Sequence, residues 1–261
     1  FDSVEQTYTA EIRFLDEQVG RLLDFLKTKK LQDETLVVFT ADHGENFFEH
    51  DMPLHHENLY EDVVRVPLVF YYPPLGRRKV DMLVQHVDIM PTILALLNLH
   101  TSNDIDGKNL LPLMQATKKN VREFTYFEDI TYRRLRFMSN RRRRGIRIGQ
   151  YKYIETLSGT NEELYQVMPR EDLQKMKEEL YDLEKDPREK INIIAQSVKT
   201  ANKLRSRLFD TINALNIKSL QNNPTLKSKV ERSLRIIRKA AKQFKNDEIA
   251  VAWTGGKDST T

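Results

Sequence analysis

The feature that most constrains the fold is a continuous apolar run, Thr35 to Thr40 (TLVVFT), which is followed closely by DHGE at residues 42–45. A run of this length without polar alternation is typical of a parallel strand that is covered on both faces. A helical pattern over Val4 to Thr28 precedes it, and a second strand-like run, Val66 to Tyr72, stops at two prolines. With a short helix predicted at Asp88 to Asn98, where Asp88 is the expected N-cap, this order predicts an α/β layer architecture.

From about Glu123 the pattern changes to short strands, which we predict to pair in antiparallel fashion. Gly149 lies at the turn of RGIRIGQYKYIET, which is typical of a hairpin. A helix follows the strands, and the best linker candidate is IKSLQNNPT at residues 217–225. The predicted strands are Phe124 to Phe127, Arg144 to Ile148, Tyr151 to Ile154 and Glu179 to Leu183, and the predicted helix is Lys199 to Leu215.

Composition excludes several classes of protein. With 39% hydrophobic and 31% charged residues, the chain of 261 residues can bury a core and does not have the profile of a disordered protein. The absence of cysteine excludes disulfides and thiolate metal sites. No apolar run approaches the roughly 20 residues of a membrane span, so we expect none.

A dense basic run lies between the second-half strands, with Arg133, Arg134 and Arg136 followed by Arg141 to Arg144. We predict a solvated loop there. No nucleic-acid-binding motif accompanies the run, which disfavours nucleic acid as a partner. A rim that attracts a sulfated or phosphorylated substrate stays open as an alternative.

The stretch after the first strand concentrates groups that bind metals and anions. Asp42 offers a carboxylate oxygen and His43 an imidazole nitrogen, and both types of atom bind divalent cations. An adjacent pair cannot complete a metal site alone, so further ligands must come from elsewhere in the fold. The alternative is that Asp42 caps the next segment and His43 is a solvated loop residue.

The order of several segments resembles the sulfatase branch of the alkaline phosphatase superfamily over about residues 5–215. This resemblance implies an α/β fold with a mixed or parallel sheet flanked by helices, incomplete in this chain, and a small antiparallel C-terminal subdomain. The segments that carry it are YTAEIRFLDEQVGRLLDFL, TLVVFTADHGE, HHENLYEDVVRVPLVFYYP, HVDIMPTILALLNL, DGKNLLPLM, RGIRIGQYKYI and ELYDLEKDPREKINI.

The resemblance also implies roles for individual residues. Asp42 and His43 match a pair of metal ligands in this family; calcium is favoured, while manganese, magnesium and zinc stay open. His55, five residues before Tyr60, matches a contact to the substrate anion, with His56 as second choice. Glu45 is a candidate for orienting His43. Of the other histidines, we predict His50 at the surface near the mouth of the site, and His86 and His100 as structural or solvated.

The family's nucleophile motif (Cys/Ser-x-Pro-x-Arg), which carries formylglycine in sulfatases, and its first metal carboxylates are not found in this sequence. Residues 1–122 therefore match the C-terminal half of the catalytic domain, and 123–216 its C-terminal subdomain. We expect these residues alone to lack sulfatase turnover. Alternatives are a phosphoryl or phosphoethanolamine transferase or a phosphodiesterase on the same fold, or a non-catalytic anion-binding fragment. The expected partner is a sulfate- or phosphate-ester small molecule or glycan.

The end of the sequence resembles a second family. A predicted helix, the strand EIAVAW and the loop TGGKDST resemble the start of a PP-loop ATP pyrophosphatase or phosphoadenosine phosphosulfate reductase domain at residues 226–261. That resemblance implies a helix–strand start of a second α/β domain, an ATP-type nucleotide or adenylyl sulfate as ligand, and a cytoplasmic location if the fusion is natural. The phosphate-binding residues would be Thr254, Gly255, Gly256, Lys257, Asp258 and Ser259.

Overall fold

A computed structural model describes residues 2–51, 58–100, 105–131, 140–159 and 174–222. These residues form a mixed α/β fold that divides into two compact units, one within residues 2–39 and 69–76 and the other within 40–68 and 77–222. The helices are α1 (Asp2–Thr28), α2 (Glu61–Val64), α3 (Ile89–Leu96), α4 (Leu111–Met114) and α5 (Val198–Asn222), and the strands are β1 (Val37–Thr40), β2 (Leu68–Tyr71), β3 (Phe124–Thr131), β4 (Asn140–Ile148), β5 (Tyr151–Gly159) and β6 (Gln174–Asp182).

The first unit contains α1, whose prediction is confirmed, and most of the paired strands β1 and β2. The helix ends because Lys30 turns into the left-handed region, with φ of 59°. Its last carbonyls are then satisfied by a bond of 2.8 Å from the Leu31 amide to Leu26 O and one of 3.0 Å from Lys30 to Lys27 O. Leu26 is buried, but several other apolar residues of α1 are exposed: Ile12, Phe14, Leu15, Leu22, Leu23 and Phe25.

The second unit is built on an antiparallel sheet in the order β3-β4-β5-β6. This confirms the predicted antiparallel strands, which are all longer than predicted, although β6 ends at Asp182, one residue before its predicted end at Leu183. Gly149 adopts φ of 56° at the turn between β4 and β5, a backbone conformation that favours glycine. The hairpin therefore forms where local turn chemistry predicts it.

One face of this sheet packs against α5. Ala201, Leu204, Leu208 and Ile212 recur every three or four residues along the helix and therefore share one side of it. They form a buried cluster with Ile146, Tyr153 and Leu180, one residue from each of β4, β5 and β6. This cluster is the main core of the unit.

The opposite face of the sheet covers the segment that leads into α2. Leu59 and Tyr60 are buried against Ile154, Tyr181 and Leu183. Because side chains alternate along a strand, Tyr153 and Ile154 of β5 serve opposite faces. A Cβ on Gly145 of β4 would lie 3.5 Å from Leu59 Cδ1, an ordinary van der Waals distance, so this segment packs directly on the sheet.

Asp88 stands at the N-cap position of α3, as predicted, but its side chain does not cap that helix. The fully buried carboxylate instead accepts from the Gln85 amide at 2.8 Å and the Lys108 amide at 2.7 Å, and it forms an ion pair with Arg122. Asp88 therefore joins three segments that are distant in sequence, those of Gln85, Lys108 and Arg122.

Helix α5 continues through Asn222, beyond the predicted end at Leu215 and into the predicted linker at 217–225. The rest of that linker and the PP-loop candidates lie outside the described residues. Domain bounds at 122 and 216 remain predictions. None of the helices in the described ranges is both long and apolar enough to cross a membrane.

Candidate functional site

The segment after β1 places Asp42 and His43 side by side. Thr40, the last residue of β1, donates its hydroxyl to Pro67 O at 2.8 Å, which fixes the start of the turn. The Asp42 carboxylate accepts a hydrogen bond of 3.0 Å from the His43 amide through Oδ1. Its side chain is 72% exposed and that of His43 is 27% exposed. Both groups are therefore accessible from solvent.

The orientation of the His43 ring defines which nitrogen can bind a cation. Nδ1 lies 2.7 Å from the Gly44 carbonyl oxygen. Because a carbonyl only accepts, Nδ1 carries the proton, and Nε2 is the ring nitrogen with a lone pair. Nε2 lies 3.9 Å from Asp42 Oδ2. Two ligands with bonds of about 2.0–2.6 Å to one cation can be separated by this distance, so the donor pair fits a divalent metal.

Within the part of the chain that the structure describes, no three His, Cys, Asp or Glu residues form a group that could hold a metal ion. The candidate metal site is therefore a pair in these residues. The ring nitrogen of His43 contacts the Gly44 carbonyl, and the orienting role of Glu45 stays a prediction. The substrate contacts predicted at His55 and His56 lie outside the described residues, as do those predicted at residues 254–259.

Helix α2 supports the loop that carries Asp42 and His43. The Gly44 amide donates to Val63 O at 2.7 Å. The fully buried side chain of Asn46 donates to Asp62 Oδ2 at 2.6 Å and to Glu49 O at 3.2 Å. Burial raises the pKa of the Asp62 carboxyl, although the bond from Asn46 opposes that shift. Neither Asn46 nor Asp62 was predicted as a site residue, because a polar residue gives no sign in the sequence of whether it is buried.

His50 differs from its prediction as a surface histidine. Its ring stacks on Tyr60 with centroids 3.6 Å apart and planes inclined by 13°, and its backbone adopts φ of 57°. Burial lowers the pKa of His50 below the usual 6.5, despite the opposing charge of Asp62. Tyr60 in turn donates its hydroxyl to Glu179 of β6 at 2.8 Å. This stack therefore links the loop to the antiparallel sheet.

A cavity of about 1710 Å³ in the second unit is lined by Asp42 and His43 and also by His86. His86 Nε2 lies 3.5 Å from the hydroxyl of Thr40, two residues before Asp42. His86, which we predicted as structural or solvated, therefore also lines the cavity of the candidate ligands.

The described part of the basic run, Arg141 to Arg144, forms part of strand β4 and not the solvated loop that we predicted, while Arg133, Arg134 and Arg136 lie outside the described residues. Arg142, Arg143 and Arg144 belong to β4, and the side chains of Arg143 and Arg144 are buried. Arg143 Nη1 lies 2.9 Å from Asp129 Oδ2, while Arg142 and Arg144 both pair with Glu128. Because all three of these side chains pair with carboxylates of β3, the described part of the run is not an open anion-binding rim.

Comparison with known proteins finds sulfatases. Residues 3–99 match the family model described as Sulfatase. The Escherichia coli protein named uncharacterized sulfatase YidJ is 34% identical over 115 residues, which cover 44% of this chain and 23% of that protein. The N-acetylglucosamine-6-O-sulfatase of Bacteroides thetaiotaomicron is 28% identical over 195 residues, which cover 73% of this chain and 32% of that protein. The chain thus spans less than two thirds of the length of these relatives.

A solved structure gives the same result. BT4656, solved in complex with its substrate D-glucosamine-2-N,6-O-disulfate, matches with a TM-score of 0.57 and 27% sequence identity. The match covers 83% of this chain and 41% of that chain. The similarity therefore extends beyond the segment that matches the family model.

Proposed function

We propose, from the match of residues 3–99 to the family model described as Sulfatase, that the protein takes part in the hydrolysis of sulfate esters. The observation that carries this proposal is the donor pair Asp42 Oδ2 and His43 Nε2, 3.9 Å apart, within the matched segment. We assign to this pair two of the ligands of a divalent cation, with calcium favoured and manganese, magnesium or zinc as alternatives.

A bound cation would act as a Lewis acid on the ester oxygens and on the nucleophile. The contribution of this chain is to hold ligands: the Gly44 carbonyl fixes the His43 ring so that Nε2 carries the lone pair, and the carboxylate of Asp42 supplies charge. His55 or His56 is proposed to contact the anion of the substrate. Formylglycine is proposed as the nucleophile on the family motif, which is not among these 261 residues.

We propose a sulfated sugar as the substrate class. Support comes from the relatives, because one is named as an N-acetylglucosamine-6-O-sulfatase, another as an ulvan-active sulfatase, and BT4656 was solved with a disulfated glucosamine. The cavity beside Asp42 and His43, about 1710 Å³, is large enough for a sugar.

Metal titration tests the assignment of the ligands. Calorimetric titration with Ca²⁺ and paramagnetic titration with Mn²⁺ should detect weak binding to the wild-type chain and a loss of binding in Asp42→Ala. The matched control is Asp106→Ala, because Asp106 is an acidic residue outside the candidate pair. Equal binding by the wild type and Asp42→Ala would refute the ligand assignment.

Turnover is tested separately with an aryl sulfate and N-acetylglucosamine-6-sulfate. We expect none from these residues alone, since the nucleophile motif lies outside them. Sulfate release by the purified 261 residues would contradict that expectation.

A second candidate function rests on the loop Thr254-Gly255-Gly256-Lys257-Asp258-Ser259 after the strand-like EIAVAW. We propose that it binds the phosphates of an ATP-type nucleotide, because consecutive glycines let backbone amides surround a phosphate. If this nucleotide chemistry belongs to the same protein, the cytoplasm is the proposed location. ATP binding that is unaffected by Lys257→Ala would count against the proposal.

A further inference from the structure

Helix α2 lies between the loop of the candidate ligands and the antiparallel sheet, and it contacts both. On the loop side, Val63 O accepts the Gly44 amide at 2.7 Å and Asp62 Oδ2 accepts from Asn46 at 2.6 Å. A Cβ on Gly44 would lie only 1.9 Å from Asp62 O, so the two backbones are in direct contact. A displacement of α2 must therefore displace Gly44 and, with it, the loop that carries Asp42 and His43.

On the sheet side, Glu61 connects α2 to an ion cluster. Its carboxylate lies 3.1 Å from Lys152 Nζ of β5 and 3.1 Å from Arg147 Nη1 of β4. Lys152 also lies 3.0 Å from Glu189 Oε1, and Glu189 Oε2 accepts the backbone amide of Glu61 at 2.6 Å. The cluster thus holds α2 through both the side chain and the backbone of one residue.

The burial of this cluster is unusual for charged residues. The side chain of Lys152 is 0% exposed, that of Glu189 is 1% exposed and that of Glu61 is 12% exposed. The ammonium of Lys152 also lies 5.4 Å from the centroid of the Phe127 ring. Burial raises the pKa of Glu189, while the charge of Lys152 opposes that shift.

Stability alone does not account for ions in this position. Replacing a buried ion pair by well-packed apolar groups is often neutral or stabilising, whereas removing one partner is costly. Buried ions fix the relative position of packed segments in some proteins, because charge-assisted hydrogen bonds have a preferred geometry that apolar contacts lack. The other contacts between this face of the sheet and the segment that leads into α2 are apolar, and they come from Ile154, Tyr181 and Leu183.

We propose that Lys152, Glu61 and Glu189 are positioning residues that hold α2, and through Gly44 and Asn46 the loop of Asp42 and His43, in place on the sheet. The consequence for metal binding rests on the proposed function, but the positioning itself does not. The antiparallel sheet then acts as the support of the candidate metal site.

The first test measures position without a metal. In the full chain, amide hydrogen exchange of Gly44 reports its bond to Val63 O. We expect Glu61→Gln to speed this exchange by about tenfold or more. Lys152→Met, which keeps a long side chain but removes the charge, should act in the same direction. Glu61→Gln is the milder variant and keeps the test valid if Lys152→Met fails to fold.

The control is Leu208→Ala, which weakens the core on the opposite face of the same sheet. It should lower the melting temperature and leave Gly44 exchange within about twofold of wild type under strongly native conditions, where local opening dominates exchange. If Glu61→Gln leaves Gly44 exchange at the wild-type rate, or if Leu208→Ala speeds it equally, the positioning role is refuted.

The second test measures Mn²⁺ affinity of the same variants. Losses of roughly 10–100-fold are typical when residues that support metal ligands are changed, and we expect a loss of this order in Glu61→Gln. Absence of Mn²⁺ binding by the wild type would count against the proposed function. If the wild type binds Mn²⁺ and Glu61→Gln shows the same Mn²⁺ affinity and the same Gly44 exchange rate, the result would count against the positioning proposal.

Discussion

Replacing Gly44 with alanine tests the contact that sets the position of the candidate metal loop. Gly44 does not adopt a left-handed backbone, so alanine can take its conformation, and the cost comes from contact alone. The new Cβ would lie 1.9 Å from Asp62 O, 3.0 Å from Asp62 C and 3.2 Å from Val63 Cα. All three are backbone atoms, so no side-chain rotation can relieve the clash, and α2 or the loop must move by at least about 1.5 Å to reach ordinary contact.

The magnitude follows from three contributions. Overpacking against atoms that cannot rotate away costs about 1–3 kcal/mol. Loss of the bond from the Gly44 amide to Val63 O costs about 1 kcal/mol, and the reduced entropy of the unfolded chain returns about 0.4–1 kcal/mol. We therefore expect a net loss of about 1–4 kcal/mol, or a decrease of about 2–15 °C in the melting temperature.

The assay combines thermal melting with hydrogen exchange of residues 42–51 and α2. The matched control is Gly20→Ala in α1, where a Cβ would meet no atom within 4 Å. This control should stabilise its helix by about 0.5–1 kcal/mol, because alanine is the better helix former. A melting temperature and loop exchange unchanged in Gly44→Ala would refute the contact between the loop and α2.

Two further predictions concern other parts of the second unit. Because burial lowers the pKa of His50, NMR titration should give a folded-state pKa below the value near 6.5 of the urea-unfolded chain. The stabilising contribution of His50 is then present above about pH 6.5 and is lost as the pH falls through the folded-state pKa. A folded-state pKa at or above the unfolded one would contradict the stacking on Tyr60. Leu208→Ala should cost about 2–5 kcal/mol, since the side chain is 0% exposed in the core under α5, whereas Leu208→Met should cost under about 1.5 kcal/mol; equal melting of both variants would contradict this packing.

The elements that depend on local sequence were predicted correctly. The hairpin at Gly149, the antiparallel strands around it and the long helix α1 all follow from turn chemistry or periodicity within a few residues. The predicted ends of helices and strands were less accurate, as for α5, which continues to Asn222 and not to the predicted Leu215. Sequence therefore predicted which elements exist better than where they end.

The burial of charged residues could not be predicted in the same way. Arg143 and Arg144 read as exposed, because their partners Asp129 and Glu128 are identified only by the register of β3 against β4. Lys152 reads as the polar member of an alternating strand, because its partner Glu61 is separated from it by 91 residues. A charged residue is therefore predicted to be exposed unless its ion-pair partner, which is distant in sequence, is known.

The candidate site was predicted in part for a related reason. Asp42 and His43 are adjacent in sequence, so their proximity needs no knowledge of the fold. The half-burial of His50 depends on Tyr60, and the position of Tyr60 depends on Glu179 of a distant strand. These are tertiary relations, and a motif read alone does not contain them.

The alternation of β5 between the two faces of its sheet has a consequence for how the sequence can change. Tyr153 shares a core with Leu204 and Leu208, whereas its neighbour Lys152 is matched in charge to Glu61 and Glu189. In an alignment of related sequences, position 153 should therefore covary in volume with positions on α5. Position 152 should covary in charge with positions 61 and 189. Two adjacent residues of one strand would therefore be under two independent constraints.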